Sequence, residues 1–372
     1  VEPLAKPVER KQRQQLKQEE KMKRKLFCLL LVMALVLTFA VGCGPKDDDP
    51  GVDAGKYKGK KVAMITDIGG INDESFNQSA WNGMERLEKE GVEISFLESE
   101  KEADYKTNLD RKSEEGADVI WGIGFMMAQA IADASKAHPD RLFAIVDQGY
   151  AEGELPNAVG AMFHSEESSF LVGYIAGHMT KTDHVGFILG MEGDVMFRFQ
   201  YGYLAGVEYA ARELGKEIRV DAVTIDTFGD TAKGKATATK MYSDGADIVY
   251  HAAGQAGSGA ITAAKELDKW AIGVDLDQNA LAPDHVLTSA LKNVDQAVYE
   301  LSKKVLDGED VGGKTFYFGL KEGGVGIAPS SDKHVPKELL DKTKEIEKKI
   351  IAGEIKCPIS AEEFEAWKAN LD

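Results

Sequence analysis

Cysteine is nearly absent: three occur in 372 residues. Catalytic and cofactor signatures are missing as well. No H-E-x-x-H occurs, none of the seven histidines pairs with cysteine at zinc spacing, and no G-x-S-x-G elbow presents a nucleophile. GIGFMM lacks the third glycine of a dinucleotide loop, and GQAGSG has the wrong spacing. GDTAKGKA (229–236) comes closest to a phosphate loop, but Ala236 stands where a hydroxyl must reach magnesium, so it reads as a loop entering a helix. No cofactor is expected and no catalytic constellation is evident. A basic surplus is lacking too. The net charge is −17, and nine basic against four acidic residues in the first 27 leave −22 for the rest, a body that repels nucleic acid and anionic lipid.

The longest apolar run, Leu26 to Val41, falls short of about 18 uninterrupted apolar residues and ends in Gly-Cys-Gly-Pro, which argues against a membrane span. With the basic Lys21 to Lys25 before it and small residues before Cys43, it has the three parts of a secretory signal. AVGC is similar to the bacterial lipobox, with Ala40 in place of the more usual Leu. Cys43 is then the mature N-terminus and the lipidated, palmitate-bearing membrane anchor, on the extracytoplasmic face. Met22 opens a compact signal, so residues 1–21 are expected to be an over-extended start. Residues 1–42 are thus removed or never made, and 43–57 form a polar flexible tether. Only Cys357 stays free, and the fold must hold by its core alone.

Beyond the tether, short β-branched or apolar runs alternate with amphipathic helical windows. The runs are VAMIT, ISFLE, VIWGIG, LFAIVD, VGFILG, VDAVTI, IVYHAAG, AIGVDL and VLTSAL. This alternation implies an α/β fold with parallel sheets and crossover helices. The pattern occurs twice. SEEGADVIWGIG (113–124) matches YSDGADIVYHAAG (242–254); each is followed by a helical stretch and then by IVDQ, ending at Gln148, or GVDLDQ, ending at Gln278. Phe76 and Phe199 each precede a glycine by seven residues, Gly83 and Gly206. Two halves therefore repeat one βαβ plan.

Ligands of open parallel sheets bind beyond the carboxyl ends of the strands, and Phe76, Asp147, Phe199 and Asp275 all fall there. Asp147 and Asp275 have an ordinary role as helix caps, yet occurring in register in both halves they suit recognition of vicinal hydroxyls, since a carboxylate accepts two hydrogen bonds. Lys292, after the tenth strand, is either a surface lysine or a donor to such hydroxyls. Phe76, Phe199 and Phe228 are read as loop aromatics, able to fill the core or to sandwich a flat base. Together these residues suggest a nucleoside over a bare sugar or an amino acid. An amino acid calls for a cleft arginine, and Arg198 is the one loop candidate. His178 and His184 read as surface groups.

The lipobox and tether, with ITDIGGINDESFNQSAWNG, EESSFLVGYIAG, FGDTAKGK, GVDLDQN and TSALKNVDQAV, make the chain resemble the basic membrane protein family of bacterial lipoproteins. Characterised members of that family bind purine nucleosides for an ABC importer. The resemblance implies a type I periplasmic-binding-protein fold: two Rossmann-like lobes with parallel sheets joined by a three-crossover hinge. The expected lobes are 58–183 with 292–320, and 184–291 with 321–372. It also implies Phe76 and Phe228 as a stacking pair and Asp67 and Asn77 as hydrogen-bonding partners of the base. Asp147, Asp275 and Lys292 would hold the ribose, Gly254 would admit a close backbone approach, and Asp277 is the alternative to Asp275. The implied partners are a purine nucleoside, a permease and an ATPase, for a monomeric, non-enzymatic receptor. A receptor for another solute such as a sugar, a nucleoside-processing enzyme and a ligand sensor are the competing classes.

Overall fold

The computed structural model describes residues 55–371, so the signal, Cys43 and most of the tether lie outside the described residues. Among the described residues no helix is long and apolar enough to cross a membrane.

The first sheet takes its central strands from the most apolar runs. β1 (Lys61–Ile65), β3 (Val119–Gly122), β4 (Leu142–Val146) and β5 (Ala158–Phe163) are buried almost throughout, as parallel strands covered on both faces must be. β2 (Glu93–Leu97), an edge strand, is more exposed. α1 (Phe76–Lys89), α2 (Ala103–Glu114) and α3 (Ala128–Ala137) connect them. The pleat divides the core: Val62 and Met64 face Met84 and Leu87 of α1, whereas Ala63 and Ile65 face Leu109 of α2 and Ile131 of α3.

The second sheet repeats the plan. It contains β6 (His184–Leu189), β7 (Arg219–Thr224), β8 (Ile248–Ala252), β9 (Trp270–Asp275) and β10 (Val286–Lys292), connected by α5 (Asp194–Leu214), α6 (Thr231–Ser243) and α7 (Gly254–Leu267). α4 (Ser165–Met179) packs on the same face as α5, and α8 (Val294–Leu306) packs beside α1 on the first sheet. Strand order is β11-β5-β4-β3-β1-β2 in one sheet and β12-β10-β9-β8-β6-β7 in the other. Each number of the second series is five above its counterpart, apart from the outermost additions. The self-similarity in the sequence is therefore a repeated topology. β11 (Thr315–Phe318) joins parallel to β5, whereas β12 (Val325–Ile327) joins antiparallel to β10. The helices α9 (Lys337–Ile351) and α10 (Ala361–Ala369) lie against α4 and α5.

The chain passes between the sheets three times: at His164, at Asn293 and through 319–324. These crossings are tied to one another, because His164 N–H donates to the Phe318 carbonyl at 3.0 Å and Asn293 N–H to the Gly324 carbonyl at 2.8 Å. The first passage comes earlier than the expected boundary at residue 183. α4 follows the first sheet in sequence but buries its apolar length against α5. β5, β11 and β12 were not among the expected strands, being glycine-interrupted or short.

The paired glycines have one role in both halves. A Cβ on Gly83 would lie 2.5 Å from the Asp295 carbonyl oxygen, and one on Gly206 would lie 2.0 Å from that of Phe170. Each lets two helices on its sheet meet backbone to backbone. The preceding phenylalanines differ: Phe76 is the first residue of α1, but Phe199 sits inside α5 and not in a loop. Gly206→Ala should lower stability by about 1–3 kcal/mol through overpacking. Gly326→Ala, whose Cβ would meet nothing within 4 Å, should stay near neutral. Urea unfolding of the two variants measures the difference.

Candidate functional site: the cleft between the lobes

The carboxyl ends of both sheets converge on a cleft between the lobes. It is lined by Asp67, Phe76, Asp147, Phe199, Phe228, Gly254, Asp275 and Lys292, all of which sequence reasoning singled out. Asp67, Phe76 and Asp147 come from the first lobe and the other five from the second.

Asp147 follows β4 and Asp275 ends β9, and both are in the left-handed backbone region, at φ 66° and 63°. Non-glycine residues seldom adopt it, and Asp is among the few that tolerate it. The two halves thus make the same strained turn at the same place, and each turn delivers a buried carboxylate to the cleft. Lys292, 2% exposed, reaches from β10 across the cleft to donate to Asp147 Oδ2. Its ammonium also lies 4.6 Å from the ring centre of Phe76, 5.1 Å from that of Phe163 and 5.6 Å from that of Phe199. Aromatic faces attract a cation, so the lysine is held by one carboxylate and three rings.

Asp67 begins the loop after β1. Its Oδ1 accepts from Asn77 Nδ2 at 2.6 Å and from Gly69 N–H at 3.0 Å. Asn77 is fully engaged: Nδ2 also donates to Asp73 at 3.1 Å, and Oδ1 accepts from Asp67 N–H. It does not line the cleft. The structure therefore gives Asn77 the task of orienting Asp67. Asp73, which sequence reasoning missed, is buried and accepts from the backbone N–H groups of Ser75, Asn77 and Gln78, capping α1. Its place just before the apolar face of α1 was the available signal. Phe125, Met126, Met196, Ala253 and Gln255 also line the cleft unannounced, since nothing in their spacing separates them from core residues.

Phe228 lies in the loop between β7 and α6, on the backbones of Gly190 and Gly254. A Cβ on Gly190 would be 2.4 Å from Phe228 Cε1, and one on Gly254, whose φ is 52°, would be 3.5 Å from Phe228 Cβ. The loop then enters α6, with Asp230 as the N-cap accepting from Lys233 N–H at 2.9 Å. GDTAKGKA is thus a capped helix start. Asp277 is exposed and is occupied by Ser330 and Asn279, so Asp275 alone of the two faces the cleft. Arg198 pairs with Glu166 at 2.9 Å and does not line the cleft. His184 is buried on Asp221 at 2.8 Å and His178 is largely covered, which corrects their reading as surface groups. Among the described residues no group of three or more His, Cys, Asp or Glu is arranged to hold a metal ion.

Burial raises the carboxyls of Asp67, Asp73 and Asp275. Asp67 is pushed up to about 6, opposed by the hydrogen bonds from Asn77 and Gly69. Asp275 is pushed up to about 7, opposed by Lys292 and by Ser75. Desolvation disfavours the charged form of each.

Two lobes of parallel sheet around a deep cleft, joined by three crossings, define a solute-binding protein. The chain belongs to the Bmp family of PnrA-like ABC transporter substrate-binding proteins, whose family model matches residues 60–361. A CD4+ T-cell-stimulating antigen of Listeria monocytogenes is 38% identical, over 91% of this chain and 99% of its own. The ABC transporter nucleoside-binding protein BmpA of Lactococcus lactis is 36% identical, over 89% of this chain and 98% of its own. A crystal structure of an ABC transporter solute-binding protein from Aeropyrum pernix matches with a TM-score of 0.76 at 28% identity, covering 84% of this chain and 98% of the other. This membership makes the protein a binding component of an ABC transporter and not an enzyme. It implies a small-molecule ligand together with permease and ATPase partners.

The raised carboxyls set a pH dependence. A carboxyl whose folded pKa lies above its ordinary value near 4 binds more protons folded than unfolded. Its contribution is present below about pH 4 and is lost as pH rises through about 6 for Asp67 and 7 for Asp275. Ligand-free protein should therefore lose stability between about pH 4 and 7 in urea titrations. Asp275→Asn, which tolerates the same backbone conformation, should flatten that slope; an unchanged slope would contradict the assignment.

Proposed function

We propose that this protein captures purine nucleosides in the interlobe cleft and delivers them to an ABC importer. The observation that carries the reading is the combination, in one buried cleft, of aromatic walls from both lobes with a lysine and paired carboxylates. A nucleoside needs both halves of that combination. Phe76 and Phe228 take the base between them, with Phe199 closing the apolar wall. Asp67, steadied by Asn77, accepts from the base edge. Asp147, Asp275 and Lys292 take the ribose hydroxyls, whose donors replace the water that burial removes from the carboxylates. Gly254 leaves room for backbone beside the ligand. The Lactococcus relative, a nucleoside-binding protein of an ABC transporter, supports the same class.

Closure follows from contacts made to both lobes at once, since a ligand shifts an equilibrium only by its differential affinity for the two states. The closed monomer then docks on the permease. Cys43, lipidated after signal removal, tethers it to the extracytoplasmic face of the cell membrane. Growth of the producing cell with a labelled fatty acid should label the wild-type protein and leave Cys43→Ala unlabelled.

Titration calorimetry should show guanosine, inosine or adenosine binding with micromolar or tighter affinity. Heat only with a monosaccharide or an amino acid would overturn the reading. Free base released from inosine at enzymatic rates would make the protein an enzyme instead. Phe76→Ala should weaken nucleoside binding by about 1–3 kcal/mol, the worth of one stacked base. Unchanged affinity with a lowered melting temperature would make Phe76 a core residue.

A further inference from the structure

The two halves diverge at the glutamines that end their matching motifs. Gln148, at the end of IVDQ, turns back on its own neighbourhood and donates to the Gly149 carbonyl at 2.5 Å. Gln278, at the end of GVDLDQ, crosses between the lobes. Its Nε2 donates to the Glu74 carbonyl at 2.9 Å, 204 residues away in sequence and on the loop that opens α1.

Gln278 is prepared for this reach from within its own lobe. It is 3% exposed, its Oε1 accepts from Val274 N–H at 3.0 Å, and its own N–H donates to Ser289 Oγ at 3.2 Å. Gly273 makes room for it, because a Cβ there would lie 2.7 Å from Gln278 Oε1. The receiving side is equally fixed. Glu74 holds a left-handed backbone at φ 55°, and the adjoining Ser75 Oγ donates to Asp275 Oδ2 at 2.5 Å, a second bond across the same seam. Gln278 does not line the cleft.

We propose that Gln278 is a closure latch: a positioning residue that stabilises the closed arrangement of the lobes without touching the ligand. Opening the cleft breaks the bond to Glu74 while leaving the bonds to Val274 and Ser289 in place. The latch therefore sets how much of the ligand-free protein is closed, and the apparent affinity of every ligand scales with that fraction. The affinity arm of this proposal rests on the nucleoside reading; the distance arm does not.

Gln278→Glu tests it, because the carboxylate keeps an acceptor for Val274 N–H but loses the donor and faces the Glu74 carbonyl. Gln278→Met, of similar volume and without a donor, is the companion variant should the carboxylate disturb folding. Spin labels at the exposed positions of Glu100→Cys and Lys233→Cys report the separation of the lobes. In ligand-free protein both variants should shift the distance distribution to longer values than wild type. Guanosine, inosine and adenosine should all bind about tenfold more weakly, by one common factor, as expected for one lost hydrogen bond. An unchanged ligand-free distance distribution would overturn the latch, and so would weakening confined to one nucleoside, which would mark a ligand contact. If wild type binds no nucleoside, the function reading fails while the distance measurement still decides the latch.

Discussion

The buried pair of Lys292 and Asp147 is the constraint on which the rest of the cleft depends. It joins the last residue of β10 in one sheet to the residue after β4 in the other, beside the crossing at Asn293. Removing both charges from water costs several kcal/mol per ion, and a lone pair of charges seldom repays that cost. Here the ammonium gains the faces of Phe76, Phe163 and Phe199 as well as the carboxylate. Aromatics and charges in this cleft thus support each other: the rings that make an apolar wall also make a buried cation tolerable.

The architecture supplies that meeting point by repetition. Two sheets of the same strand order present the carboxyl ends of their strands to each other, and both end a central strand on a left-handed aspartate. The halves are not equivalent in use. One aspartate meets Lys292, and the other meets Ser75 from the opposite lobe. A further carboxylate, Asp73, is drawn into the cap of α1, which positions Phe76 at the first turn. The cleft is consequently acidic, with carboxyls whose ionisation burial opposes. Such a site favours ligands that bring hydroxyl or amine donors.

Much of the site was legible because the repeat marks it. Asp147, Asp275 and Phe76 lie beyond strands at places where parallel sheets bind ligands, and Lys292 ends a strand of the same kind. The division of labour among neighbours was not legible. Asn77 and Asp67 are equally polar in sequence, yet the Asn77 amide is consumed by two carboxylates while Asp67 faces the cleft. Asp275 and Asp277 stand two residues apart, and only the fold turns one inward and gives the other to Ser330. Phe199 was read as a loop residue because helix boundaries before a glycine-rich turn are weakly encoded; it reaches the cleft from the second turn of α5.

By itself the sequence determined the alternation of strands and helices, the duplicated plan and the chemistry gathered at the strand ends, because apolar periodicity and local turn residues are properties of neighbours along the chain. The tertiary structure alone decided which lobe α4 joins, which glutamine of the matched pair crosses between the lobes and which carboxylates face the cleft. The contacts that join the lobes link segments more than a hundred residues apart, such as Gln278 with Glu74 and Lys292 with Asp147. No window along the chain contains both partners.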